Sequence, residues 1–491
     1  MTVVETAYGK VRGTEIADGV LAWRGIPYAA PPAGELRLRP PQPPAPWAGI
    51  RDAMAYGNRS LQQDDGAPRV PLPPADEDCL YLNVTAPAEA AASGEGRRPV
   101  LFWIHGGGFE MGHGPDQAGD GAAFAQSHGL VVVTFNYRLG ALGFLDVPEE
   151  TPTGAFGLHD QVAALRWVRE NIAAFGGDPG QVTIYGLSAG GKSVTNLLAS
   201  PLAAGLFARA AESSGGEHVK NPAQARDLTK QFLGVLGTTL PRIRAVSAAD
   251  FLAAQLAVES PPRSSWIWRA SVDGAALTQA PLDAIAGGAA AGIPLLLQTC
   301  ARETALYQLM EPRTAAQAER VLTEYFGAQR AAALLAGYAA AHPELDQAVL
   351  RGVTVMTDER YVVRTERLAS AHAAHGPVWR SRYDGPYTAL EDDPDPEFIQ
   401  YAPLLHGAHG SDGWGIWHGG PGVSAALHDA WGAFAAKGDP GWARYEPGDQ
   451  TAMIFAEDGP RPETDPFGPA RELWAGLDWQ PGPWWPVEGV S

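Results

Sequence analysis

The sequence predicts an α/β protein, with a large, mostly parallel central sheet and helices on both of its faces. Three observations predict it. Residues 99–104 and 129–135 are nearly unbroken apolar runs, the pattern of strands buried on both faces. Between about 158 and 175, Leu165, Val168, Ile172 and Phe175 share one helical face. Residues 181–194 then read strand, sharp turn, helix. Strand, helix, strand in this order is the unit from which parallel sheets are built.

The elements follow in order. Val11, Gly13 and Thr14 lie between turn signals at Tyr8-Gly9 and Asp18-Gly19, and residues 20–23 and 25–29 continue as strand. Prolines crowd residues 31–46 and return in 66–74, so both stretches are expected as irregular wrapping and not as sheet centre. Residues 77–84 resume a strand. The run ending at Ile104 passes straight into His105-Gly106-Gly107-Gly108-Phe109, and the run ending at Phe135 into Asn136-Tyr137-Arg138. Gly176-Gly177-Asp178-Pro179 stops the amphipathic helix, and a strand then leads to Ser188. Residues 222–283 and 314–345 are Ala-rich and read as helical. Further buried strands are expected at 293–297 and 378–383, and a late helix at 423–437, with Lys437 in its last turn and Gly438 beyond it. No repeat and no linker composition interrupts residues 1–491, so a single domain is expected.

Composition narrows the class. The 491 residues are 45% hydrophobic, enough for a large core, and carry a net charge of −19. That acidity argues against nucleic acid or an anionic membrane as partner. Two cysteines, Cys79 and Cys300, are no disulfide framework. The first twenty residues have no secretory pattern, and no apolar run approaches the ~18–20 residues of a membrane span. A soluble, cytoplasmic protein is expected. No Cys/His cluster has metal spacing, and no cofactor is called for.

The chemistry concentrates at Gly186-Leu187-Ser188-Ala189-Gly190, a G-x-S-x-G. A serine on a strained strand-to-helix turn is pushed out above the sheet, and the residues two before and two after it must lack side chains. The helix that follows points free N–H groups at developing negative charge. Acyl transfer also needs donors for the oxyanion, a base and an acid to orient the base. The Ala189 N–H is one candidate donor, and the glycine loop after Ile104 can bring Gly107 and Gly108 close to a substrate.

Taken together, these motifs resemble the type-B carboxylesterases, the family of bacterial para-nitrobenzyl esterases, animal carboxylesterases and cholinesterases. The match runs through Gly25-Ile26-Pro27-Tyr28-Ala29, Glu77-Asp78-Cys79-Leu80-Tyr81-Leu82-Asn83-Val84, Asn136-Tyr137-Arg138, Asp160-Gln161, and Phe434-Ala435 with Gly438-Asp439-Pro440. The resemblance implies the α/β-hydrolase fold, with helical insertions forming a gorge, and a small-molecule ester as substrate. It implies Ser188 as nucleophile and Gly107, Gly108 and Ala189 as the oxyanion hole. Glu303, after the strand at 293–297, matches the acid, and Ser214 matches a serine that steadies it. His409, followed three residues later by Asp412, matches the base, with His406 as its competitor; His372 and His375 read as helix surface.

The sequence also departs from the family. Gln298, Arg302 and Thr304 stand where Gly, Asp and Gly are common. Leu187 replaces the Glu that commonly precedes the nucleophile, so Leu187→Glu should raise turnover. Ser60 replaces a cysteine that pairs with the one at 79, so Cys79 is expected free. Trp103 reads as core, whereas Trp414 and Trp417 are candidates, with Leu187, to line the acyl or alcohol pocket. The same site would serve carbamates, amides, lactones or polyester fragments. Relatives that act only as binding modules lose the nucleophile or base, and candidates for both are present here. The natural ester and the oligomeric state stay open.

Overall fold

The structure is a computed structural model that describes residues 2–479, except 64–71, 94–95, 117–118, 148–153, 260–266, 311–312, 344, 346–347 and 388–404. The strands are β1 (Thr2–Thr6), β2 (Gly9–Ala17), β3 (Val20–Pro27), β4 (Ile50–Asp52), β5 (Arg59–Ser60), β6 (Ala75–Asp76), β7 (Tyr81–Pro87) and β8 (Arg98–Ile104). They continue with β9 (Val131–Phe135), β10 (Gly177–Leu187), β11 (Arg209–Ser213), β12 (Leu295–Cys300), β13 (Val378–Tyr383), β14 (Thr451–Ala456) and β15 (Gly459–Thr464). Among the described residues the main sheet runs β1-β2-β3-β7-β9-β8-β10-β11-β12-β13-β14-β15, with β4 paired to β2. The stretch from β9 to β14 is parallel throughout. Antiparallel strands flank it at β3, β7 and β15.

The apolar runs are buried on both faces because each strand divides its side chains between two cores. In β8, Val100, Phe102 and Ile104 enter one cluster, and Leu101 and Trp103 the other. In β10, Val182 and Ile184 face the first, and Tyr185 and Leu187 the second. Helices cover both faces: α1 (Phe156–Asn171) and α2 (Ala189–Ala199) on the first, α5 (Gly413–His418) and α6 (Val423–Lys437) on the second. Between β12 and β13 lie further helices, among them α3 (Ala348–Thr357), a π-helical turn (Asp358–Val362) and α4 (Val363–Ala373). Arg138, just after β9, grips Asp160 of α1 through Nε and Nη2 at 2.8 and 2.7 Å, tying that loop to the helix.

Several expectations shift. The helix after Ser188 begins at Ala189. The Ala-rich 222–283 stretch contains helices Pro222–Leu236 and Ala248–Glu259 and the start of Pro281–Ala286, with irregular chain at 268–270 and a single β-bridge from Ser271 to Lys220. Strands β11, β14 and β15 were not foreseen. Part of the second proline-rich loop, 66–71, lies outside the described residues. His372 is buried, not on a helix surface: α4 packs it inward, and its Nε2 lies 2.7 Å from the Ile293 carbonyl oxygen. Cys79 and Cys300 are both free and buried. The Ser60 hydroxyl hydrogen-bonds the Cys79 thiol, and burial pushes that thiol far up.

Candidate active site

Ser188 sits at the carboxyl end of β10 and caps α2, with φ 59° and ψ −119°, a strained backbone for a residue with a side chain. The two flanking glycines are required by close approach. A Cβ on Gly186 would overlap the Gly190 backbone, and one on Gly190 would overlap the Ile104 carbonyl oxygen. The Ser188 N–H donates to Ser213 O at 2.9 Å, fixing the turn to β11.

The carboxyl ends of β12 and β13 feed the same edge of the sheet, where open parallel sheets place their sites. Glu303 lies just beyond β12, fully buried. Its Oε1 accepts from Cys300 N at 2.8 Å, and its Oε2 lies 2.6 Å from His409 Nδ1. Two backbone bonds staple the loops together: His409 N to Glu303 O at 3.1 Å, and Arg302 N to Gly407 O at 2.7 Å. With Nδ1–H held by a carboxylate, the neutral imidazole keeps Nε2 as an acceptor. His406 is 40% exposed and lies 3.7 Å from Glu457, away from this pair.

The unusual residues around the acid have structural partners. Gln298 Nε2 donates to Asp412 at 2.6 Å, and its Oε1 accepts from Ser381 Oγ at 2.9 Å. Ser213 Oγ also donates to Asp412, whose carboxyl is pushed up by burial. Thr304 Oγ1 donates to Val353 O at 2.9 Å, anchoring the Glu303 loop to α3. Ser214 is buried with its hydroxyl against the Cys300 thiol. Among the described residues that hydroxyl makes no hydrogen bond to Glu303; the Cys300 N–H occupies the acid's other oxygen.

The glycine loop is held from beneath. His105 stacks on Tyr137 with ring centroids 4.4 Å apart, and its Nδ1 lies 2.9 Å from Gly106 O. Burial lowers its pKa to about 3, so the ring is neutral. Gln62 brackets Gly112 with two 2.9 Å bonds. Gly107 and Gly108 have φ of 101° and 65°. Among the described residues no acceptor takes the N–H groups of Gly107, Gly108 or Ala189.

Ser188 and Ala189 open onto a small enclosed cavity. Phe109 and Tyr361 form aromatic walls, and Lys192, His218 and Arg360 supply the polar ones. The Tyr361 ring also lies 4.9 Å from the His409 ring, so one side chain borders both the imidazole and the serine's cavity. Sequence reasoning missed these walls. Lys192 was within reach of it, since four residues after Ser188 is one helical turn. Arg360 and Tyr361 arrive on the π-helical turn, which no periodicity announced.

One pocket candidate is corrected. Trp417 is core: it packs against Trp103 at 5.0 Å and Phe124 at 5.2 Å, because α5 turns that side toward the second core. Trp414 is half-buried and stacks on His418 at 3.9 Å, on the same short helix. Leu187 is buried in the second core, with Cδ2 3.9 Å from where a Cβ on Gly410 would lie, so it borders the residue next to His409.

The sheet order and the strand-turn-helix at Ser188 make this an α/β hydrolase. A model of the carboxylesterase family matches residues 1–445. The para-nitrobenzyl esterase of Bacillus subtilis (strain 168) is 40% identical over 392 residues, 78% of each chain. The fumonisin B1 esterase of Sphingopyxis macrogoltabida is 34% identical over 474 residues, 90% of this chain and 84% of that one. Among solved structures, a para-nitrobenzyl esterase superposes with TM-score 0.81 at 34% identity, covering 96% of this chain and 99% of that one. A Geobacillus stearothermophilus carboxylesterase gives TM-score 0.80 at 35% identity, covering 96% and 100%. The chain belongs to the carboxylesterase family and is a carboxylic-ester hydrolase.

Proposed function

We propose that the protein hydrolyses small-molecule esters through an acyl-enzyme, with Ser188 as nucleophile, His409 as base and Glu303 as the carboxylate that orients it. The observation that carries this reading is the 2.6 Å contact between His409 Nδ1 and the buried Glu303, on the sheet edge where strained Ser188 stands. His409 Nε2 takes the Ser188 proton as the hydroxyl attacks the ester carbonyl. The oxyanion is received by the Gly107, Gly108 and Ala189 N–H groups, aided by the positive end of α2. The imidazolium then protonates the leaving alcohol. Water repeats the sequence to free the acid and regenerate Ser188.

The test is p-nitrophenol release from C2-to-C12 acyl esters by wild type beside Ser188→Ala. Loss of at least about 10³-fold in kcat with the variant folded is expected. Activity surviving in Ser188→Ala would overturn the assignment. We propose a cytoplasmic location, with which two free, buried thiols are compatible.

A further inference from the structure

The cavity beside Ser188 offers donors and positive charge. Lys192 is nine-tenths buried one helical turn from the serine. Its ammonium lies over the Tyr361 ring at 4.4 Å and reaches the Ser214 and Gly215 carbonyls only at 3.5 and 3.4 Å. Among the described residues no carboxylate comes within ion-pairing distance of it. An ammonium has three donors and no acceptor, and a buried charge is normally paired. Arg360, ion-paired to Glu359 at 3.3 Å, adds a second donor-only group to the wall.

The third group is fixed by logic of its own. His218 Nε2 lies 2.9 Å from Arg269 Nη1, and a guanidinium can only donate. Nε2 must therefore accept, which puts the proton on Nδ1. That buried Nδ1–H has no partner among the described residues. A neutral ester of purely aliphatic groups would leave the His218 Nδ1–H unanswered, whereas a carboxylate, anionic and acceptor-only, matches that donor and the positive charge of Lys192 and Arg360.

We propose that this cavity binds a carboxylate carried by the ester substrate, held by Lys192, Arg360 and His218 while the ester carbonyl meets Ser188. The proposal rests on the ester-hydrolase reading and deepens it to a substrate class: half-esters of dicarboxylic acids, or acyl esters of hydroxy acids. Lys192 faces Glu303, Glu212, Glu359 and Arg360, and burial lowers its pKa to about 8. It is mostly charged at pH 7 and neutral well above 8, so affinity for the carboxylate weakens across that range.

The experiment compares kcat/KM by pH-stat for two pairs, monoethyl glutarate against ethyl pentanoate, and 3-acetoxypropanoate against propyl acetate. It uses wild type, Lys192→Met and Ser188→Ala between pH 6.5 and 9.5, with the substrate carboxylate ionised throughout. For wild type at pH 7, a preference of about tenfold or more for the charged member of one pair is expected, a gap of 1.4 kcal/mol. The pair that shows it tells whether the carboxylate sits on the acyl or the alcohol side. That preference should fall as pH passes about 8 and be lost in Lys192→Met. Glu212, pushed up to about 7 by burial, titrates in both proteins, so the difference between them isolates Lys192. If Lys192→Met does not fold, the wild-type preference and its decline above pH 8 decide the matter. Equal or better turnover of the uncharged member in both pairs overturns the carboxylate site alone. No turnover of any ester, or turnover unchanged in Ser188→Ala, overturns the ester-hydrolase reading and this proposal with it.

Discussion

Glu303 never meets the substrate in the proposed mechanism; it acts through the tautomer and aim of one imidazole. Glu303→Gln keeps the shape but can offer its NH₂ to His409 Nδ1, favouring the wrong tautomer. A loss of about 10⁴-fold in kcat with KM little changed is expected from steady-state kinetics, as for the equivalent change in a serine protease triad. His406→Ala, at a 40% exposed side chain beside Glu457, should stay close to wild type in the same assay. Leu187→Glu is a sharper case, because the side chain is buried in an apolar cluster. A carboxylate there borders Gly410, beside the imidazole, and is expected to raise kcat through faster deacylation. It should also destabilise the fold by about 2 kcal/mol, read as a lowered denaturant midpoint. Residues of this kind are half legible in sequence. Ser188 and Glu303 announce themselves by motif, whereas the partner that gives Gln298 its place, Asp412, lies 114 residues away and is brought near only by the sheet.

At the scale of elements, the site depends on a turn in which two backbones nearly touch. Gly190→Ala would push a methyl into the Ile104 carbonyl, displacing either Ser188 or the glycine loop after β8. A shift of 1 Å at a reacting group is worth about 10²-fold, so kcat/KM should fall by at least that much, in a protein whose circular dichroism remains native. Helices and buried strands with a clean period were readable: Val423–Lys437 and Val378–Tyr383 fall where the pattern puts them. Strand β11 was not, because Ala210, Ala211 and Glu212 carry no β-branched signal; Ala210 lies on the face that packs closely against α2. Strand β15 hides behind Pro460 and Pro462, tolerated because among the described residues it pairs on one side only, with β14.

Across the whole molecule, several acids are buried away from water, and this sets a pH dependence of stability. Asp358 is pushed up from 3.8 to about 7 by burial, with Tyr338 donating to it at 2.6 Å. Between about pH 4 and 7 the folded chain keeps a proton that the unfolded chain releases, so this group's contribution to stability falls as pH rises through that window. Asp358→Asn removes the titration, so its melting temperature should gain on wild type as pH climbs from 4 to 8, by scanning calorimetry. Sequence reasoning found the α/β class and the positions of several buried strands because these rest on local runs of apolar residues. It could not find the insertion that brings Arg360 and Tyr361 to the serine, since that placement depends on packing between distant segments.

The sheet places β8 between β9 and β10, and the turns beyond it bring Glu303 and His409 together from more than a hundred residues apart. Contacts of such long range form late, after loop closures whose entropy no local helix can offset. Regained turnover after denaturation therefore certifies the assembled sheet as a whole: a chain with all its helices and one misplaced strand would be optically close to native and chemically inert.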